Sequence, residues 1–307
     1  MNLYKFFFPN KNFRVKVLQA LSFLPDKFVV RVQYFLKTGR LLNLKYPNRF
    51  TEKIQWYKLF YKDPDLKRCS DKYAVREYVM ERGCGNILNE LYGVWSDVGL
   101  IDFSGLPSSF ILKATHGSGT NLIVEDKDKD KDKAKVDLEN LRPIFKGWLK
   151  YNTSAIGREW GYKGIKPKII AEKVLPRDSR GDLPDFKFFC FDGRVYCLYV
   201  MVDYVDDHVE GKLAFYDREF RPLNVFRKDF KPFKEVMEKP KNFDEMLRVA
   251  ERLSEGFPHV RVDLYNIEGA IVFGEMTFYN ASGYTVFDPD SFDYELGEHF
   301  DLKRVGL

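Results

Sequence analysis

The chain has 307 residues, 45% of them hydrophobic and 31% charged, with a formal net charge of +5. That balance excludes a disordered or fibrous chain, and the length leaves room for two or three lobes around a large core. No stretch approaches eighteen apolar residues, so no spanning helix is expected, and the four cysteines (Cys69, Cys84, Cys190, Cys197) form no Cys-x-x-Cys pair, which argues for free thiols in a reducing cytoplasm and against zinc.

Residues 1–50 hold ten Lys and Arg against the single acid Asp26, a net +9, so the rest of the chain sums to −4. Met1 to Pro9 has a short apolar run but no small-residue cleavage site and does not read as a signal peptide. Residues 11–40 predict amphipathic helix. Thr51 is the expected N-cap of a helix reaching Phe60, and Ser70 or Asp71 that of a helix reaching Val79, broken by Gly83 and Gly85. Residues 88–94 read as extended, and Leu106-Pro107 leads into the first strand of a small lobe. Residues 125–133 alternate acid and base, the pattern of a solvated turn, ahead of a helix over 136–151. An aromatic loop runs to Tyr162, followed by a strand over 168–175 and a polar turn to Pro184.

Residues 185–191 and 194–202, joined by Asp192-Gly193, predict a hairpin. Residues 213–221 add a strand and turn, and 242–256 a helix opened by Asn242 or Asp244. The runs at Arg261 and Ile271 form a second hairpin through 266–269. No internal repeat is present. Helices, then a small α+β lobe, then a mainly antiparallel sheet with a helix make an α+β class, without regular βαβ alternation.

Two segments carry chemistry. In Phe110–Val124, Lys113 precedes the small-residue loop Gly117-Ser118-Gly119-Thr120. Glycines there allow close backbone approach to phosphates, with His116 and Ser118 as added donors. A hairpin with an exposed Lys at its tip fits the same residues, and the Walker order is absent. In the second hairpin, Asp263 and Glu275 offer hard oxygens for Mg²⁺ from neighbouring strands, or else form an outward polar face. Arg261 shares the Asp263 face. It either meets a transferring phosphoryl group or pairs structurally with Asp263. Thr277 and Asn280 are neutral oxygen donors nearby. Glu172, Lys173, Val174 and Leu175 end a strand at an expected lobe junction, a natural adenine slot. Asp185 and Lys187 suit ribose hydroxyls and a phosphate or acyl oxygen, or make a surface ion pair. No Ser/His/Asp arrangement or activated cysteine is suggested, and nucleic-acid binding has little support.

The ordered set of Asn48–Trp56, Asp71–Tyr78, Phe110–Lys113, His116–Gly119, Asp185–Gly193, Arg261–Tyr265 and Phe273–Phe278 resembles the TupA-like branch of the ATP-grasp enzymes, found in bacterial capsule, teichuronopeptide and related surface-polysaccharide clusters. The resemblance spans roughly residues 40–300. It implies two α+β lobes closing on ATP behind a helical N-terminal segment. The domains expected are a helical basic segment (1–70), a pre-grasp helix and linker (71–107), a small lobe with the glycine-rich loop (108–172) and a large lobe with the Mg²⁺ site (173–307). Lys72 and Lys113 would be the phosphate lysines, with His116, Gly117, Ser118 and Gly119 over the phosphates. Residues 172–175 would hold adenine and Asp185 the ribose. Asp263 and Glu275 would bind Mg²⁺, with Arg261 and Lys187 at the reacting groups. Glu275-Met276-Thr277 departs from the Glu-x-Asn common in such enzymes, so Thr277, Asn280 or water would replace that ligand.

The implied activity is an ATP-dependent carboxylate–amine ligase of surface-polysaccharide assembly. It would act in the cytoplasm on a small carboxylate and amine or a lipid-linked saccharide, with no nucleic-acid partner. Substrate pockets are expected in residues 151–165, 203–212 and 280–290. The basic segment either contacts an anionic inner-membrane surface or is a solvated helical face. The alternative is a glycosyltransferase using a nucleotide sugar, with Asp288-Pro289-Asp290 or Asp128-Lys129-Asp130 as its metal motif. A third reading is a degenerate ATP-binding protein, which intact Lys72, Lys113, Asp263 and Glu275 argue against.

Overall fold

The computed structural model describes residues 11–127, 138–151, 153–203, 211–233, 235, 237–303 and 306. Its α-helices are α1 (Lys11–Ala20), α2 (Asp26–Thr38), α3 (Phe50–Phe60), α4 (Pro64–Ser70), α5 (Val75–Glu81), α6 (Arg142–Leu149), α7 (Thr153–Gly157), α8 (Phe243–Ser254) and α9 (Ser291–His299). None among the described residues is long and apolar enough to cross a membrane.

Four strands, β1 (Leu91–Trp95), β2 (Phe110–Ala114), β3 (Asn121–Val124) and β4 (Ile169–Glu172), form an antiparallel sheet in the order β1-β4-β2-β3. The segment read as a linker thus supplies the edge strand β1. Nine strands follow: β5 (Asp185–Phe191), β6 (Arg194–Val202), β7 (Lys212–Asp217), β8 (Pro222–Leu223), β9 (Phe226–Arg227), β10 (Lys231–Pro232), β11 (His259–Ile267), β12 (Ala270–Thr277) and β13 (Phe287–Asp288). All but β9 and β13 belong to a larger, seven-stranded sheet. Its order is β10-β7-β6-β5-β11-β12, with β8 beside β7, while β13 pairs with β9 alone. Pairing is antiparallel except between β10 and β7.

Each sheet has its own core. Phe110, Leu112, Phe145 and Ile169 pack in the small one. The large one takes Phe188, Leu198, Phe215, Val260 and Val262 from the sheet, Met246 and Ala250 from α8, and Phe50, Ile54 and Tyr57 from α3. The expected N-terminal segment is therefore partly core.

Both predicted hairpins form on two-residue turns. Asp192 and Gly193 have φ of 49° and 77°, and Glu268 and Gly269 have 52° and 91°, the backbone that matches strand twist. Local expectations at helix starts need correction. Residues 11–40 divide at a 3-10 turn, Leu21–Phe23, and at Pro25. α3 starts one residue before Thr51, whose N–H and hydroxyl go instead to Asp293 at 3.0 and 2.8 Å. Its first turn is closed by Glu52, which accepts from the N–H groups of Asn48 (3.0 Å) and Arg49 (3.2 Å). α4 was not foreseen, although Asp63 caps it and Pro64 opens it. Asp71 caps the turn into α5, accepting from Tyr73 and Ala74 N–H at 2.8 Å. Asn242 precedes α8 but spends its side chain on Gly269 and Asn266, pinning the second hairpin turn. The helix expected over 136–151 is a 3-10 turn, Leu138–Leu141, followed by α6. Most of the alternating charge run lies outside the described residues.

Candidate functional site

A cavity of about 570 Å³ lies between the sheets. One wall comes from α5's leading turn, β2, β4 and the glycine loop. Lys72, Lys113, Gly117, Ser118, Gly119, Glu172 and Leu175 line it. The Lys72 N–H donates to Thr115 O at 2.8 Å and its ammonium donates to Gly117 O. This ties the loop to the start of α5. Burial lowers the Lys72 pKa, against the pull of Glu275. Gly117 and Gly119 have φ of 76° and 72°, which a side chain would resist. Glu172, 8% exposed, accepts from Lys113 at 2.9 Å and from Arg76 at 3.1 Å. It thereby holds Lys113 at the strand end, facing the loop.

Three expected nucleotide residues stand elsewhere. His116 is buried with its Nε2 2.8 Å from Tyr151 O, and is not among the lining residues. Burial lowers its pKa, and the contact with Tyr151 O ties the loop from behind. Lys173 and Val174 do not line the cavity either. The Lys173 N–H donates to Glu90 O at 3.0 Å, because β4 continues its pairing with the approach to β1.

The facing wall is the large sheet. Asp263 and Glu275 are direct partners on β11 and β12. The pairing shifts by one residue between Asp263/Glu275 and Leu264/Phe273, which leaves Gly274 as the extra residue of a bulge. Side chains alternate faces along a strand. With the register that the hairpin turn sets, Glu275 would oppose Val262 and point away from Asp263. The bulge brings Glu275 and Thr277 to the face of Asp263 and Arg261. A Cβ on Gly274 would sit 2.9 Å from Asp263 O, so the bulge admits only glycine without a shift.

Asp263 is 1% exposed. Lys187 donates to its Oδ2 at 2.6 Å, and Arg261 donates to both its oxygens at 2.6 Å. Arg261 also reaches Glu275 Oε1 (3.2 Å), Thr277 Oγ1 (3.1 Å) and Tyr199 OH (3.1 Å). Lys187 forms a second ion pair with Asp185. Arg261 is the structural partner of Asp263 and it also lines the cavity. Burial opposes the Lys187 ammonium, but Asp185 and Asp263 outweigh it and raise its pKa well above the ordinary value. Burial likewise pushes the Glu275 pKa up, yet Lys72, Lys187 and Arg261 prevail and hold it at about 2. Burial raises Asp185 to about 6 despite Lys187.

Asp263 and Glu275 offer carboxylate oxygens and Thr277 a neutral one. Oxygen donors of this kind fit a hard divalent cation such as Mg²⁺. Among the described residues no group of three or more His, Cys, Asp and Glu is preformed for a metal, so such an ion would share Asp263 and Glu275 with ligand oxygens. Asn280 is 4% exposed and outside the lining, while its neighbours Ala281 and Ser282 are in it. Asp290 is held by Arg40 and Arg49, away from the cavity, and Asp128 and Asp130 lie outside the described residues. All four cysteines are free and buried.

Sequence reasoning missed Arg76, Tyr199 and Arg227, and it reached Glu159 and Ser282 only as members of the pocket segments 151–165 and 280–290; all five line the cavity. Arg76 had a signal, four residues beyond Lys72 on one helical face. Glu159 had another, a lone acid within the aromatic loop.

No curated protein shows significant sequence similarity to the chain. Among solved structures it is similar to a D-alanine–D-alanine ligase from Bacillus anthracis complexed with ATP, with 14% identity, a TM-score of 0.46, and coverage of 78% of this chain and 67% of that one. It is also similar to the ATP-grasp ligase PsnB complexed with a phosphomimetic variant of its minimal precursor, Mg and ADP (12%, 0.41, 81% and 66%). A RimK domain protein from Sphaerobacter thermophilus gives 11%, 0.39, 76% and 67%. A family model described as TupA-like ATPgrasp matches residues 52–301, and the chain therefore belongs to the TupA-like ATP-grasp family.

Proposed function

We propose that the protein is an ATP-dependent carboxylate–amine ligase acting in bacterial surface-polysaccharide biosynthesis. The observation that carries this reading is one cavity holding a glycine loop with Lys72 and Lys113 on one wall and the in-register Asp263 and Glu275 beside Arg261 on the other. A substrate carboxylate attacks the γ-phosphorus of ATP, giving an acyl phosphate and ADP. An amine nitrogen then attacks the acyl carbon, releasing phosphate and a proton and leaving an amide. Lys72, Lys113 and the backbone N–H groups of residues 117–119 bind phosphate oxygens. Arg261, steadied by Tyr199, neutralises charge on the phosphoryl group. Lys187, paired with Asp185 and Asp263, meets a phosphate or acyl oxygen, and Asp185 takes the ribose hydroxyls. Mg²⁺, held by Asp263 and Glu275 with Thr277 nearby, would supply charge neutralisation for phosphoryl transfer. The substrates are a small carboxylate and amine, or a lipid-linked saccharide.

In this reading the protein works in the cytoplasm and touches the inner membrane surface through its basic segment. The exposed side chains of Phe23, Phe28, Val32 and Phe35 support that contact. On α2 the last three lie opposite the buried Val30 and Tyr34, with Lys27 and Arg31 beside them.

The test is ADP and phosphate release from Mg·ATP with a panel of uronic acids and amino acids, with UDP release from UDP-sugars measured in parallel. Turnover needing both a carboxylate and an amine is expected. UDP release without use of ATP would replace the ligase by the glycosyltransferase.

A further inference from the structure

Glu159 is a cavity-lining carboxylate that the phosphate and metal groups leave unused. It is 9% exposed, and no Lys or Arg among the described residues lies within ion-pair distance of it. Among the described residues its one side-chain hydrogen-bond partner is Ser282, whose hydroxyl donates to Oε1 at 2.6 Å. Lys58 stands behind that hydroxyl, where burial lowers its pKa against the upward pull of the Glu159 charge. Lys58, 1% exposed, donates to Ser282 Oγ at 2.8 Å and to Gln55 Oε1 at 3.1 Å. A buried carboxylate without a contacting cation is costly.

The surroundings hold it rigidly. Arg158, with a φ of 55°, locks the loop onto the turn before α2 by donating to Leu21 O (2.7 Å), Ser22 O (3.1 Å) and Asp26 (2.8 Å). The Gly161 N–H donates to Tyr279 OH at 3.0 Å. On the opposite side Ser282 sits at a φ of 55°, its carbonyl held by Gln55 at 3.0 Å. Left-handed backbone at a non-glycine residue is strain that the surrounding bonds maintain. The rings of Tyr162 and Tyr279 line the same wall, and aromatic faces favour a cation. The Tyr162 phenol is raised first by burial and then by both Glu159 and Glu275. The two carboxylates thus share a neighbour within one cavity.

We infer that Glu159 and Ser282 form the subsite for the ammonium group of the amine substrate, an inference that rests on the ligase reading. Ser282 already gives its proton to Oε1, so Oε2 accepts charge-assisted N–H bonds. Ser282 brings no charge and Lys58 stands behind it without an ion pair to either carboxylate oxygen, whereas an ammonium at Oε2 pairs with the carboxylate directly.

The test measures binding, so it does not depend on turnover. Saturation-transfer NMR follows glycinamide and L-alaninamide on the full chain with a non-hydrolysable Mg·ATP analogue, with N-acetylglycinamide as the uncharged control. Wild-type protein is expected to bind the cationic probes and not the control. Glu159→Gln should weaken them about 10-fold or more while keeping its nucleotide affinity, and Ser282→Ala should have a smaller effect. Equal probe binding by wild type and Glu159→Gln overturns the subsite, as does absence of probe binding by wild type or loss of nucleotide affinity in Glu159→Gln. Absence of ATP turnover with probe binding intact would sink the ligase reading instead and leave an ammonium site.

Discussion

Asp263 is counter-charge to two buried cations, Lys187 and Arg261, as well as the candidate metal ligand. Asp263→Asn should therefore remove Mg²⁺-dependent turnover and also destabilise the fold by about 3–5 kcal/mol, the cost of leaving a buried partner uncompensated. Urea melts with and without Mg²⁺ check both effects, and unchanged metal dependence would place the carboxylate site elsewhere. Lys113 differs, since its partner Glu172 keeps Arg76. Lys113→Ala should lower ATP turnover by about 100-fold or more, with less than about 1 kcal/mol change in stability; full activity would remove Lys113 from the phosphate site. His259 is wholly buried among Phe50, Phe191 and Phe300, with Nδ1 2.9 Å from Cys190 O. Burial holds its pKa at about 3, down from 6.5. Between those values the unfolded chain binds a proton that the folded chain does not, so stability falls as pH drops through that window. His259→Phe should flatten this part of the Tm-against-pH curve, and an unchanged slope would assign the acid sensitivity to other groups.

At the scale of elements, the β11–β12 hairpin does two jobs. Its Glu268-Gly269 turn sets one register near the tip, and the Gly274 bulge sets another at the cavity. Gly274→Val would press a branched side chain on Asp263 O and the Tyr265 ring, atoms that even a Cβ meets at 2.9 and 3.3 Å. A loss of about 1–3 kcal/mol is expected from the forced shift. Mg²⁺-dependent turnover should fall further than stability alone explains, because Glu275 loses its register with Asp263. Activity that survives once stability is restored by lower temperature would show that the bulge is not what positions Glu275. The loop after β12 extends the same logic, since Ala281 and Ser282 carry the wall on beyond Thr277.

At the scale of the molecule, there are two separate apolar cores, and the cavity between the sheets is lined by charged groups and by aromatic rings such as Tyr162, Phe273 and Tyr279. The outer face of α2 bears on where the molecule works. The proposed membrane contact predicts cosedimentation with vesicles containing phosphatidylglycerol and much less with phosphatidylcholine alone. Phe28→Ser combined with Phe35→Ser, both exposed, should abolish most of that binding without loss of Tm. Equal sedimentation of this variant would reject α2 as the contact.

Local rules carried much of this protein. The Asp192-Gly193 hairpin, α8, the second hairpin and the placement of Lys113 before a glycine loop were readable because turn chemistry and periodicity act between near neighbours. The facing of Asp263 and Glu275 was readable only as an option, since strand parity alone does not reveal a bulge. Thr51 and His116 went astray for a related reason. Each side chain found a distant partner, Asp293 and Tyr151 O, that outcompeted the local role. Glu159 and Ser282 lie 123 residues apart, and their pairing exists only where a loop beside the small lobe meets the end of β12. Sequence by itself determined most of the elements, the family and most of the charged groups available to the cavity. The tertiary structure decided which of those groups share it, because burial and register are set by contacts between segments far apart in the chain.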